Sequence, residues 1–184
     1  MAIEPWTVTA SSVLVEDKWV RLRADECTTS DGKTIAPYYV FDYPSWVTVF
    51  PVTKQGELVL VRQYRHGLGE VLLELPCGGY EANEVDSVVA AARELSEETG
   101  YTGKSFDEIA SFSPNPANHS NLSHVVICTD LERTQEQRLD PGERIEVVLM
   151  PLQTAIVELK KGNFVQAMHV AALFYGLSHL GLIE

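Results

Sequence analysis

An α+β fold is predicted for this chain by three features of its 184 residues. Strand-like and helix-like segments are interleaved without the regular spacing of repeated strand–helix–strand units. The stretch 78–101, "GGYEANEVDSVVAAARELSEETGY", carries an amphipathic helix with both ends marked. Two further helix-like segments close the chain after a last strand. With 45% hydrophobic and 22% charged residues, the chain has the make-up of a folded globular protein and not of a disordered one.

Residues 1–44 read as short strands with turns. "VRLRADECTT" and "TIAPYYVFD" flank Ser30-Asp31-Gly32-Lys33, a hairpin signal. A second strand-rich block starts at Trp46, which reads as a core residue. There "WVTVFPVT" and "ELVLVRQYR" flank the turn Lys54-Gln55-Gly56, and "EVLLELP" follows Gly67 and Gly69. "SFDEIASFS" and "SHVVICTDL" are further strands, separated by the loop "SPNPANHSN", and "ERIEVVLMP" is another. The closing helices are "LQTAIVELKK", ended by Gly162, and "FVQAMHVAALFYGLSHL". No internal repeat or low-complexity segment interrupts this order.

The helix within 78–101 is bounded by Asp86 or Ser87, whose side chains accept from exposed N–H groups, and by Gly100, suited to a left-handed end. Val88, Ala91, Ala92 and Leu95 recur at i, i+3, i+4, i+7 and predict its buried stripe. Glu94, Glu97 and Glu98 fall together on another face. Like charges so placed repel by a few tenths of a kcal/mol per pair, ~0.2–0.5, if exposed. Two readings follow: a solvated acidic face, or a site where carboxylate oxygens hold a hard divalent cation.

Composition sets outer bounds. The net charge is −12, from 14 Lys+Arg against 26 Asp+Glu, which leaves little material for a nucleic-acid surface. Cys27, Cys77 and Cys128 are odd in number and form no C-x-x-C pair, so neither a zinc site nor a disulfide framework is expected, and a reducing, cytoplasmic setting is. The N-terminal "MAIEPWTVTA" lacks the pattern of a secretory signal, and no apolar run approaches the ~20 residues that span a bilayer, so no membrane association is expected.

The acidic stretch resembles the signature of Nudix hydrolases: Gly, five residues, Glu, seven residues, then Arg-Glu-aliphatic-any-Glu-Glu-any-Gly-aliphatic. Gly79, Arg93, Glu94, Leu95, Glu97, Glu98 and Gly100 fall on it. Val85 stands where the first glutamate belongs, with Glu84 one residue early, and Tyr101 takes the last aliphatic place. "VRQYRHG", "LLELPCGG" and Pro116, sixteen residues past Gly100, resemble the ADP-ribose and ADP-sugar pyrophosphatase branch. "DKWVRLR" and "DGKT" resemble that branch's N-terminal strand domain, which in the family is exchanged across a homodimer. The likeness runs from about residue 18 to 175. It implies a Nudix α/β/α sandwich at 45–184 with a small antiparallel β domain at 1–44 for dimerisation and adenine contacts.

The resemblance also implies roles. The substrate is a nucleoside diphosphate linked to a sugar, with GDP-mannose as an alternative to the ADP-sugars and a non-catalytic ADP-ribose sensor as a third reading. Mg²⁺, with Mn²⁺ as a substitute, is held by Glu94 and Glu98, with Glu97 beside them and the backbone carbonyl of Cys77 as another ligand. Arg93 orders the glutamates. Glu143 or Glu146 in "LDPGERIEVV" serves as general base. Arg65, with Glu74, contacts phosphate and terminal ribose. Arg62 is the weaker match, because residues three apart on a regular strand do not share a face. Trp19 matches the adenine-stacking aromatic, with Tyr38 or Tyr39 second. His66, His119, His124, His169 and His179 show no metal-ligand spacing. His169 reads as a packed or partly exposed residue, and His119 and His124, beside the Pro116 loop, as candidate pocket residues. At position 85 the expectation is an active enzyme with a weaker metal complement, Glu84 or Glu81 reaching back toward Arg93.

Overall fold

The computed structural model describes residues 3–184, which form two compact units. The first contains the chain up to Pro44 together with Ser113–Leu122, and the second contains Ser45–Phe112 and Ser123–Glu184. The segment 113–122, assigned from sequence to the larger domain, therefore packs with the first unit.

In the first unit β1 (Thr7–Glu16), β2 (Arg21–Thr28) and β3 (Thr34–Phe41) form an antiparallel sheet in the order β1-β2-β3. Asp25, almost fully buried, accepts from Ser11 Oγ at 2.6 Å and pairs with Arg23 at 3.0 Å. The 113–122 segment is fastened by Phe41 N–H to Asn118 O (2.8 Å), Ser120 N–H to Phe41 O (3.1 Å) and Asn121 Nδ2 to Pro44 O (2.9 Å). β1 is exposed at every residue. No single face of it is buried, so the alternation that marks a half-buried strand is missing.

The second unit is built on β4 (Trp46–Thr53), β5 (Glu57–Arg65), β6 (Glu70–Glu74), β7 (Cys77–Gly79), β8 (Tyr101–Thr102), β9 (Phe106–Phe112), β10 (Ser123–Arg133) and β11 (Ile145–Pro151). The path is β11-β5-β4-β10-β8, with β6 on β5, β7 on β4 and β9 on β10. β4 and β10 pair in parallel, and the other pairs are antiparallel. The helices are α1 (Ser87–Thr99), α2 (Leu152–Lys160) and α3 (Ala167–His179).

The period of two along a strand explains the layering. On β4, β5 and β10, Phe50, Val52, Leu58, Leu60, Val125 and Ile127 pack with Ala155 and Ile156 of α2 and Ala172, Leu173 and Leu177 of α3. Their alternates, Val47, Val49, Val59, Val126 and Cys128, pack with Ala90, Ala91 and Leu95 of α1. Both faces are covered, which is why these strands read as continuous apolar runs. The result is a sheet between helices, the α/β/α sandwich.

α1 starts and stops as its sequence predicts. Asp86 caps it by accepting from Val88 N–H at 2.8 Å, and Gly100 ends it at φ 74°. The stripe is rotated slightly from expectation: Ala90 is buried in place of Ala92, and Val88 is partly buried. Gly176 lets α3 lie directly on β4, because a Cβ there would stand 2.2 Å from the ring of the fully buried Phe50. Gly176→Ala is expected to cost ~1–3 kcal/mol through overpacking, read as a lower denaturant midpoint at unchanged slope.

Candidate active site

Arg93 is the hub of the acidic cluster. Its Nε and Nη2 donate to Glu84 Oε1 and Oε2 at 2.8 and 2.9 Å, and Nη2 also donates to Gly79 O at 2.9 Å. Its Nη1 donates to Glu94 Oε1 at 2.8 Å and Glu97 Oε2 at 3.2 Å. The guanidinium thus joins the loop after β7 to three acidic side chains, and those hydrogen bonds hold its pKa above the ordinary arginine range.

The same geometry answers the departure at position 85. Val85 is 95% exposed and touches none of this, while Glu84 forks onto Arg93 and accepts Glu81 N–H at 2.8 Å. Residues 80–86 lie outside helix and strand, so a one-residue offset is absorbed by the turn. Glu81 is exposed, its carboxylate 3.9 Å from Arg93 Nε. Glu84→Gln is expected to raise the cation concentration for half-maximal rate several-fold, since it weakens the brace on Arg93. Val85→Glu, expected from the signature alone to lower that concentration, is instead expected to leave it unchanged. Metal titrations of the rate for both variants check the pair.

Glu94 and Glu98 stand behind this brace. Glu98 is 5% exposed and accepts Cys77 N–H at 3.0 Å. Burial pushes its carboxyl well above the usual range, and the neighbouring charges of Glu94 and Glu143 push the same way. Glu94 is raised chiefly by burial, against the pull of Arg93. A Cβ on Gly78 would fall 1.9 Å from Glu94 Oε1, so glycine is what lets this carboxylate lie against the backbone of β7.

The two candidate bases are separated by the structure. Glu143 exerts its charge on both Glu94 and Glu98, and its Oε2 accepts Asp140 N–H at 3.0 Å. Glu146 is largely exposed and pairs with Arg62 Nη1 at 2.8 Å, its cross-strand neighbour. Both line an open cleft of about 720 Å³ with Arg62, Tyr64 and Arg144.

Arg62 and Arg65 go to different places, as a regular strand requires. Arg65 Nε and Nη2 donate to Glu74 Oε2 at 2.9 and 2.6 Å, and Nη2 lies 3.7 Å from Cys77 Sγ. Glu74, expected on the substrate, is 1% exposed and directs its carboxylate to Arg65. Arg65 and Cys77 line a second cavity of about 280 Å³ with Trp46, Gly78, Gly79 and Gln166. Trp46, read as core, is only partly buried and forms part of that wall, because it stands at the strand's open end.

Trp19, Tyr38 and Pro116 belong to the first unit. Trp19 is 73% exposed with the Lys18 ammonium 4.2 Å from its ring centroid, and Tyr38 meets Trp6 edge-on and donates its hydroxyl to Ala117 O. His119 packs on Phe41 and Tyr43, and His124 lies on Tyr80 with Nδ1 3.2 Å from Glu108. His169, read as packed or partly exposed, is the packed residue of those two readings and is fully buried.

Ligand atoms of Glu74, Cys77 and His169 lie within 4.8 Å of one another. Their chemistry does not suit a cation: Arg65 already neutralises Glu74, burial pushes the Cys77 thiol up, and His169 Nδ1 accepts Leu75 N–H at 2.8 Å. The Glu94–Glu98 group does suit one. It is all oxygen and largely buried, and burial together with repulsion from neighbouring carboxylates raises both carboxyls, a cost that a bound cation would offset.

A helix-borne carboxylate cluster braced by one arginine thus lies beside a mixed sheet held between helices. Residues 42–172 match the NUDIX domain, and the chain belongs to the Nudix family. Residues 6–41 match the nucleoside diphosphate sugar hydrolase N-terminal domain. The chain is 29% identical over 167 residues to an ADP-ribose pyrophosphatase of Bacillus subtilis, covering 90% of this chain and 89% of that protein. It is also 29% identical to an ADP-sugar pyrophosphatase of Mus musculus, covering 91% and 84%. A crystal structure of an ADP compounds hydrolase shares the fold with a TM-score of 0.85 at 23% identity, over 100% of both chains. Nudix hydrolases need a divalent metal. No helix among the described residues is long and apolar enough to cross a membrane.

Proposed function

We propose that this protein hydrolyses the pyrophosphate bond of ADP-ribose and related ADP-sugars with Mg²⁺, releasing AMP and a sugar phosphate. The observation that carries the reading is the pairing of buried Glu98 with the partly buried Glu94, held in place by Arg93 and Glu84 beside the Cys77–Gly79 backbone. Glu94, Glu98, Glu97 and the Cys77 carbonyl would hold the cation, with Mn²⁺ as a substitute. When bound, it offsets phosphate charge and acidifies water. Glu143, whose charge reaches both ligands, takes the proton from the attacking water. Arg65, whose Nη1 has no hydrogen bond among the described residues, offers that edge to phosphate oxygens, and Glu74 holds the guanidinium through Nε and Nη2. Arg62 and Glu146 form a surface pair at the cleft's edge and take no part in the chemistry.

The wholly exposed β1, which carries Val8, Val13, Leu14 and Val15, supports a homodimer, since a small sheet needs a packing partner. Trp19 and Tyr38 then serve adenine, and Pro116 shapes the loop beside them. Light scattering at micromolar concentration is expected to give twice the monomer mass of 20.4 kDa; a monomer removes the shared adenine site. Three free thiols fit a cytoplasmic setting.

The substrate assignment is tested by a panel of ADP-ribose, ADP-glucose and GDP-mannose with Mg²⁺ or Mn²⁺, reading phosphate after phosphatase treatment. ADP-sugars are expected to lead in kcat/KM. Preference for GDP-mannose overturns the adenine assignment and leaves the chemistry standing. Tight ADP-ribose binding without turnover makes the protein a sensor.

A further inference from the structure

The buried stripe of α3 is His169, Ala172, Leu173, Gly176 and Leu177. Four of these are apolar or small, and an aliphatic residue in the first place would complete the stripe. His169 instead accepts the backbone N–H of Leu75 through Nδ1 at 2.8 Å, across 94 residues of chain. With Nδ1 accepting, the neutral ring carries its proton on Nε2. That atom is buried without a partner among the described residues. Of the two ring nitrogens, only Nδ1 makes a hydrogen bond among the described residues, so the bond through Nδ1 is what this side chain supplies.

That bond reaches the corner from which the proposed metal-ligand backbone emerges. Leu75 N–H is held by His169, Pro76 C=O accepts Val49 N–H at 2.9 Å, and Cys77 N–H donates to Glu98 at 3.0 Å. Proline has no N–H to satisfy. Each of these contacts comes from a different element: α3, β4 and α1. We infer that His169 is a positioning residue of the metal site, fixing the 75–77 backbone so that the Cys77 carbonyl and the Glu98 carboxylate face one cation. Burial and the charge of Arg65 push its pKa down to about 3, so the ring stays a neutral acceptor across the working range. This inference rests on the metal-site reading proposed above.

Two polar substitutions separate positioning from mere packing. Asn sets its amide oxygen as many bonds from Cα as His sets Nδ1, whereas Gln sets it one bond farther. Mn²⁺ binding to His169→Asn, His169→Gln and wild type is measured by calorimetry without substrate, with amide exchange of Leu75 followed in the metal-free proteins. His169→Gln is expected to bind Mn²⁺ about tenfold more weakly, with Leu75 exchange accelerated. His169→Asn is expected to stay within about threefold of wild type on both readouts. Equal Mn²⁺ affinity in both variants and wild type overturns the positioning role and leaves the metal site standing. So does a Gln variant whose affinity matches that of Asn. A wild-type protein that binds no Mn²⁺ overturns the metal-site reading, and the inference with it.

Discussion

Glu98→Gln is expected to lose about a thousandfold or more in kcat, because on the proposed metal-site reading it removes a cation ligand and forfeits several kcal/mol of transition-state stabilisation. The fold is expected to survive. The Glu98 carboxyl sits well above its ordinary value of 4.5 because it is buried beside Glu94 and Glu143. An acid raised in this way binds its proton more tightly folded than unfolded. The contribution of this group to the stability of the metal-free protein is therefore full below pH 4.5 and is lost as pH rises through the folded-state pKa. Gln carries no charge at any pH, so the variant is expected to be more stable than metal-free wild type at pH 8. A divalent cation relieves the same repulsion in wild type, and its thermal shift is expected to grow from pH 5 to pH 8 and to vanish in Glu98→Gln. Near-normal turnover of the variant at saturating Mg²⁺, or a wild-type shift independent of pH, contradicts the assignment.

Glu143→Gln is expected to lower kcat by about 10²–10³ while KM for ADP-ribose stays within about twofold. Glu143 acts electrostatically on Glu94 and Glu98, and Asp140 N–H donates to its carboxylate at 3.0 Å. Glu146→Gln is expected to change either constant by less than about twofold, since an exposed pair such as Arg62–Glu146 contributes little. Steady-state rates of both variants decide between them. An effect on Glu146 equal to that on Glu143 would return the base assignment to either residue.

The sandwich was legible because its signals are local. β4 and β5 are apolar runs with a marked turn, and α1 carries a cap at each end that needs no distant partner. The arginine–glutamate grouping was legible for the same reason: Arg93, Glu94 and Glu97 lie within one helical turn or so of each other. β1 escaped notice because, exposed along its whole length, it has no buried face to impose a period of two. Glu84 was readable as a candidate but not as the answer, since the direction of a turn is not set by sequence spacing. Glu143 and Glu146 both lie near a strand end, and only the register that sets Glu146 against Arg62 tells them apart. Burial of Glu74 beneath Arg65 and the bond from His169 to Leu75 depend on tertiary contacts that neither residue type nor periodicity encodes.

The central claim is that this carboxylate site cleaves the pyrophosphate of an ADP-sugar. Chromatography of ADP-ribose incubated with the protein and Mg²⁺ tests it most directly. The account predicts AMP and ribose 5-phosphate in equal amounts, at a rate that disappears on chelation and in Glu98→Gln. Recovery of intact ADP-ribose under conditions where the folded protein binds Mg²⁺ would contradict it.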